Sequence, residues 1–419
     1  MEVVLIENHR VPAVTHMLWY RVGAGDDFTG HSGLAHYNEH MMFQGTTTTP
    51  SGEFAHIVAS HGGHANAFTS HDYTAYYVSI AKEHLPLIMQ MEADRMLHLA
   101  PSQENFLKER EVIIEERRMS IENKPEALLN EEMQAALYRN HPYHTPIIGW
   151  MHEMQALSRE DVLAFHAQFY HPANAVLVVA GDITRAELQP LAERYYGTLP
   201  AGEKHIRHWR SEPPQRGART VMLKNENVRQ PELVRIYRAP SVGEDDKALV
   251  VPSFLLSQIM GGGATSRLYQ SLVVRQKLAA GVESSYDGIG IGPGEFEITA
   301  IPAGNVGLEQ LEAAIDKEVA AMRNEGAITQ DELKRAKILL KADTLYARDG
   351  LEGMARTLGS LVMAGLDPDY FNGWGALIDR VTIADVHKAL DATLDEDNSV
   401  TGYLLPSEAL RAPVAVEAK

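Results

Sequence analysis

The chain has 419 residues, 45% of them apolar and 22% charged, with 38 Lys and Arg against 56 Asp and Glu for a net charge of −18. That length and apolar content supply two or more domains with full cores and no reason for disorder, while the acidic balance argues against a nucleic-acid binder or a surface drawn to anionic lipid. With no cysteine there is no disulfide, thiol nucleophile or Cys-ligated metal, so a metal must be held by His and carboxylate; no run nears the roughly 18 apolar residues of a membrane-spanning helix.

The chain enters a strand pattern at once, VVLIEN at 3–8, followed by HMLWYRV at 16–22, TAYYVSI at 74–80 and AVLVVAG at 175–181. Helical patterns at 34–43, 84–98, 104–122 and 158–170 separate them, which predicts a sheet with helices packed on it. Compared with itself at an offset of 219, the chain aligns Arg10 with Arg229, Pro12 with Pro231, Asp26 with Asp245 and Asp27 with Asp246. At an offset of 224, Asp161-Val162 meets Asp385-Val386 and Asn174 meets Asn398. The expected fold is therefore α+β, in two homologous domains related by duplication, each a mainly antiparallel sheet with helices on it. The segment IRHWRSEPPQRG, with its proline pair and mixed charge, reads as an exposed connector, giving a domain at 1–205, a linker at 206–217 and a domain at 218–419. The run GGGATSRLYQSL at 261–272 lacks the ending of a phosphate loop and reads as a turn between helices, with Ser266 placed to cap the second.

The segment SGLAHYNEHMMFQG at 32–45 carries His36, Glu39 and His40. At helical spacing all three fall within an arc of about 100°. Two imidazoles one turn apart can hold one zinc, and the adjacent carboxylate can serve as general base. A catalytic zinc needs a third protein ligand. In ENFLKEREVIIEERRMS at 104–120, Glu109 and Glu116 fall on the stripe formed by Phe106, Val112, Ile113 and Met119, whereas Glu111 and Glu115 point away. A carboxylate on a buried face needs a partner, so Glu116 is expected as ligand and Glu109 as the group that orients an imidazole; a structural ion pair with Arg is the alternative. His61, His64, His71, His141 and His144 are not expected to bind the metal.

These segments, together with GGHANAFTSHDYTAYY at 62–77 and YHPANAVLVVAGD at 170–182, resemble the pitrilysin, insulinase and mitochondrial processing peptidase family of inverted-motif zinc peptidases. The resemblance spans the chain: His-x-x-Glu-His, a distal Glu 76 positions after His40, and Asn-Ala-x-Thr occur in the family's order. It implies one zinc per chain on His36, His40 and Glu116, Glu39 as general base with Glu109 in support, and Asn66, Ala67, Phe68 and Thr69 as an edge strand that binds extended peptide beside the metal. Asn38 departs from the pattern, which has an apolar residue there; lying on the back of the helix with Leu34 and Met41, it is expected to alter packing more than chemistry. In the second half Leu255, Gln258 and Ile259 stand where His36, Glu39 and His40 stand in the first, so that half is expected to carry no zinc. Family members hold substrate with an Arg and a Tyr in a C-terminal domain, and here Val274 and Ala280 occupy those positions, with Arg275 one place away.

The resulting expectation is a zinc endopeptidase acting on peptides or unfolded segments in a closed chamber, as the catalytic subunit of a heterodimer whose homologous partner supplies the Arg/Tyr pair. A homodimer is the alternative assembly, and a non-catalytic or peptide-binding subunit with structural zinc is the alternative function. No leader precedes the first strand pattern, and the expected compartment is the periplasm with a leader removed, the cytoplasm being the alternative.

Overall fold

The computed structural model describes residues 1–244, 246–347 and 350–407; Asp245, one of the residues matched between the halves, lies outside them. Among the described residues, ten strands form two five-stranded sheets. The first contains β1 (Glu2–Glu7), β2 (Ala13–Tyr20), β3 (His64–Thr69), β4 (Thr74–Ala81) and β5 (Ala175–Gly181), in the order β1-β5-β2-β4-β3. Only the β1–β5 pair is parallel. The second contains β6 (Arg219–Asn225), β7 (Glu232–Ala239), β8 (Ala279–Asp287), β9 (Gly294–Pro302) and β10 (Ser399–Pro406), in the order β6-β10-β7-β9-β8 and with only β6–β10 parallel. The order and sense repeat strand for strand. The start of β2 lies 219 residues before that of β7, and the start of β5 lies 224 before that of β10, so the two offsets of the internal match are the spacings of equivalent strands. In β5 every residue is buried, as a central strand covered on both faces requires, and its unbroken apolar run follows from that.

The strands divide between the sheets at residues 206–217, but the helices do not. Helix Leu351–Met363, from the C-terminal half, lays Ala355, Leu358, Val362 and Met363 against Met17, Trp19, Val176 and Val178 of the first sheet. Its counterpart, helix Pro125–Leu137 from the N-terminal half, packs on β6 and β10 of the second sheet, with Leu129 and Met133 over Gly402. Residues 1–118, 141–211 and 344–371 thus form one compact unit, and residues 119–140, 212–343 and the described residues from 372 onward form the other.

The connector is not a free one. Its first part runs extended, with Ile206 69% exposed while Arg207 and Trp209 turn inward. The cause is Asp26, a carboxylate set almost out of solvent. It accepts from Arg207 at 2.8 and 3.0 Å, from Trp209 Nε1 at 3.1 Å and from His205 Nε2 at 3.1 Å. Burial alone would raise the Asp26 carboxyl, but His205, Arg207 and the Gly23 amide outweigh it and hold it below its ordinary range. Farther along, Glu212 accepts the backbone N–H groups of Arg139 and Asn140 at 2.9 and 2.8 Å, and Gln215 donates to the Ser399 carbonyl at 2.7 Å.

His16 and His166 are sealed in the first unit. His16 bonds Tyr196 at 2.8 Å and His166 bonds the Arg95 carbonyl at 3.1 Å. Burial pushes each imidazole from 6.5 down to about 4. The unfolded chain binds these protons first, so the stability they confer is complete above pH 6.5 and falls as pH drops toward 4, by roughly 3 kcal/mol for each group. Urea midpoints of metal-free protein are expected to fall steeply between pH 6.5 and 4, and the His166→Gln variant to show a shallower fall. Parallel profiles would refute the assignment.

Candidate metal centre

Helix Leu34–Met41 is short and owes its placement to its first turn. Asp27 accepts the Gly33 and Ala35 amides at 2.7 and 2.8 Å, which puts a carboxylate where the unpaired N–H groups of a helix start are gathered. Gly33 and Gly149 both have left-handed backbone, at φ 83° and 82°, and pass so close that a Cβ on Gly149 would lie 2.4 Å from the Ser32 carbonyl oxygen. The same carbonyl region is tied down by Trp150 N–H to Ser32 Oγ, 2.8 Å. Leu34, Ala35, Tyr37, Asn38 and Met41 are buried, leaving His36, Glu39 and His40 half-buried on the other face.

The second helix, Gln103–Arg117, starts at Ser102, whose hydroxyl accepts the Asn105 amide at 3.1 Å. Its buried arc is Phe106, Ile113, Ile114 and Arg117. Val112 and Met119, expected inside the apolar stripe, are instead 52% and 62% exposed. The buried stripe lies about one side chain further round the helix than the spacing predicts, so Glu109 and Glu116 stand at the rim of the buried face rather than within it. A rim position keeps a carboxylate reachable from the neighbouring helix without sealing it from solvent. Two further bonds fix this helix beside the first and beside the Gly149 turn. Tyr37 donates to the Phe106 carbonyl at 2.7 Å with the rings stacked, and Arg117, next to Glu116, donates to the Gly149 carbonyl at 2.8 Å.

These supports bring His36, His40 and Glu116 together: one ligating atom from each lies within 4.8 Å of the others. The Nε2 atoms of His36 and His40 stand 3.6 and 3.3 Å from the two Glu116 oxygens. His40 Nδ1 meets Glu109 at 2.8 Å, which turns Nε2 toward Glu116. Gln44, unremarked in the sequence though one turn beyond His40, donates to the other Glu109 oxygen at 2.6 Å. Burial alone would lower the His40 imidazole, but Glu109, Glu116 and Glu39 outweigh it and lift it to about 9. Hydrogen bonds from His36 and His40 hold the Glu116 carboxyl far below the carboxylate range. Two imidazole nitrogens and one carboxylate oxygen at this spacing are the donor set of a three-ligand zinc site, so the residues fit that metal. Among the described residues no second group of three His and carboxylate side chains is close enough to share an ion. His71, for instance, is spent on the Thr145 carbonyl at 2.9 Å.

Glu39 lies beside the triad and accepts the hydroxyl of Thr69, the last residue of β3. That strand pairs with β4 alone, so its other edge is free of any strand among the described residues. Asn66 and Phe68 belong to it, as does Ala67, whose amide is accepted by Asn66 Oδ1 at 2.9 Å. Phe68 carries the Arg356 guanidinium over its ring at 4.0 Å. Asn38 lies with Leu34 and Met41 in the interior, fully buried, and its amide makes no well-formed hydrogen bond, although it lies near enough to the Tyr170 hydroxyl to act on it. An unmatched amide there costs about 1–3 kcal/mol. Asn38→Leu is expected to raise the urea midpoint while leaving zinc content unchanged; a lower midpoint would show that the amide has a partner in solution.

In the second half, helix Val250–Gly261 buries Leu255 and Ile259 at the equivalent positions and offers no ligand there. Val274 and Arg275 are exposed at the end of the π-helix Tyr269–Arg275, and Ala280 is exposed on β8. Ser266 stands just ahead of the helical run 267–275, as expected of a cap, but its buried hydroxyl makes no capping bond.

Comparison with known proteins gives the same assignment. Residues 2–150 match the family model Insulinase (Peptidase family M16), and residues 156–340, beyond the triad, match Peptidase M16 inactive domain. The zinc protease PqqE of Helicobacter pylori is 31% identical over 400 residues, covering 92% of this chain and 86% of that protein. A crystal structure of a protease from Helicobacter pylori superposes with a TM-score of 0.88 at 28% identity, over 96% of both chains. The periplasmic protease PqqL of Escherichia coli superposes with a TM-score of 0.79 at 19% identity, over 98% of this chain but 47% of that one. The chain belongs to the pitrilysin and insulinase family.

Proposed function

We propose that this chain is the zinc-bearing subunit of a metalloendopeptidase that cleaves peptides or unfolded segments. The observation that carries the reading is the joint placement of His36, His40 and Glu116 with Glu39 beside them and the free edge of β3 ending at Thr69. Zinc, when bound, supplies Lewis-acid chemistry for the scissile carbonyl. Glu39 takes a proton from the attacking water and returns it to the leaving amine. The β3 edge offers main-chain hydrogen bonds to an extended peptide and none to a folded protein, which sets the substrate class. A purely structural zinc is less well supported, because closed structural sites have four protein ligands, whereas this one has three, with the Glu116 side chain 42% exposed.

The assembly we propose is a heterodimer. The chain aligns with less than half of PqqL, and it places Val274 and Ala280 where its family resemblance calls for Arg and Tyr. A homologous partner bearing that pair would complete substrate binding; a second copy of this chain would not. The test combines elemental analysis, light scattering and hydrolysis of a quenched peptide, by the chain alone and with the paralogue. About one zinc per chain, weak hydrolysis alone and strong hydrolysis in the mixed dimer are expected, all lost to a chelator and restored by zinc. High turnover by the isolated chain would favour a homodimer; zinc-loaded protein that cleaves nothing in either form would favour the structural role.

A further inference from the structure

We propose that Thr69 is the positioning residue of Glu39, its hydroxyl serving the base rather than the substrate. This rests on the peptidase reading and assigns Thr69 a different task from the peptide-binding one its strand suggests. Thr69 ends β3 directly opposite Thr74, at the base of the hairpin closed by the Ser70 amide and the Tyr73 carbonyl at 2.8 Å. Its Oγ1 lies against Glu39 Oε2. An ionised carboxylate only accepts, so the single hydroxyl proton of Thr69 is committed to Glu39. Thr74 Oγ1, whose own proton goes to the Val22 carbonyl at 3.1 Å, is the weaker rival acceptor, since it lies 3.5 Å from Thr69 Oγ1 and carries no charge.

Two consequences follow from that single contact. Thr69 is β-branched, stiff at χ1 and seated in a paired strand, so it fixes one carboxylate oxygen in place and leaves Oε1 as the one available to an attacking water. It also ties the base to the end of the strand on which the peptide docks, so the scissile bond and Glu39 share one rigid reference. Catalysis by a positioned base is sensitive to displacement on the scale of 1 Å, at about 100-fold in rate. The partners are 30 residues apart in sequence and meet only through the packing of the His36 helix on β3.

Thr69→Val removes the donor and keeps the shape; Thr69→Ser keeps the donor. In the zinc-loaded, peptide-cleaving assembly, Thr69→Val is expected to lower kcat 10- to 100-fold with KM and zinc affinity, read by chelator competition, within about twofold. Thr69→Ser should recover most of the rate. Independently of activity, Thr69→Val should lower the urea midpoint of the full chain in the parent background and leave it unchanged in Glu39→Ala, because the contact is then already absent. A raised KM with kcat intact would restore the peptide-binding role and overturn the proposal. So would a normal rate, failure of Ser to rescue, or equal midpoint shifts in both backgrounds. A parent assembly with full zinc and no peptide hydrolysis would overturn the peptidase reading itself, a result distinct from any of these.

Discussion

Glu39→Gln is expected to retain about one zinc per chain and to lose peptide hydrolysis by roughly 100- to 10,000-fold, the range for removing a positioned general base. The three ligating atoms come from His36, His40 and Glu116, so the substitution leaves them in place. Gln remains long enough to reach Thr69 and can accept its hydroxyl, which keeps the local packing. What it lacks is the ability to take a proton. Glu116→Gln is expected to do the reverse: it withdraws a charged oxygen that stands 3.3 Å from His40 Nε2 and 3.6 Å from His36 Nε2, and metal content should fall with activity. Elemental analysis beside the peptide assay separates the two. Metal-free Glu39→Gln together with zinc-replete, active Glu116→Gln would exchange the assigned roles.

Gly149→Ala should be the most damaging single methyl that can be added near the metal. The new Cβ would fall 2.4 Å from Ser32 O and 2.6 Å from Gly33 N. Both are backbone atoms at the start of the His36 helix, so neither can swing aside. Left-handed backbone costs a non-glycine residue roughly 1–2 kcal/mol before any contact is counted. The total loss of stability is expected to exceed about 2 kcal/mol. Because Gly149 also receives Arg117, the residue after Glu116, relief of the clash separates the two ligand-bearing helices. Zinc affinity should therefore weaken about 10- to 100-fold, as when a group supporting a ligand is lost. Gly62→Ala is the control: it has φ 71° and open space around it, so it carries the backbone cost alone. Equal unfolding midpoints and equal zinc affinities for the two variants would dispose of the close-packing argument.

What was legible in the sequence was what repeats or what is chemically rare. AVLVVAG coincides with β5 because a strand buried on both faces has no polar alternation to blur its ends. The duplicated offsets survive because equivalent strands keep their spacing. His36, Glu39 and His40 share one helix, where spacing alone puts them on one face. What was hidden depended on partners remote in sequence. A helical stripe says that a face is buried but not where its rim lies, so spacing alone puts Val112 and Met119 inside a face they stand outside, and Glu109 and Glu116 deeper than they are. The inward turn of Arg207 and Trp209 is intelligible only once Asp26 is known to be buried. The Thr69 hydroxyl and the Gln44 amide reach carboxylates 30 and 65 residues away, and no local pattern reports that. Likewise nothing local in the segment of helix Leu351–Met363 names the sheet that receives its buried face.

The placement of that helix bears on when the protein comes into being during synthesis. All the metal-site side chains have been synthesised by Glu116, and every strand of their sheet by Gly181. Yet Met17, Trp19, Val176 and Val178 stay uncovered until Ala355, Leu358 and Val362 arrive. Translation proceeds from the N-terminus at about 5–20 residues per second, so an interval of roughly ten seconds or more separates the finished first sheet from its cover. During that interval the nascent chain holds its ligands without the packing that makes the unit whole. The order of the sequence thus defers completion of the unit that carries His36, His40 and Glu116 until most of its own chain has been made.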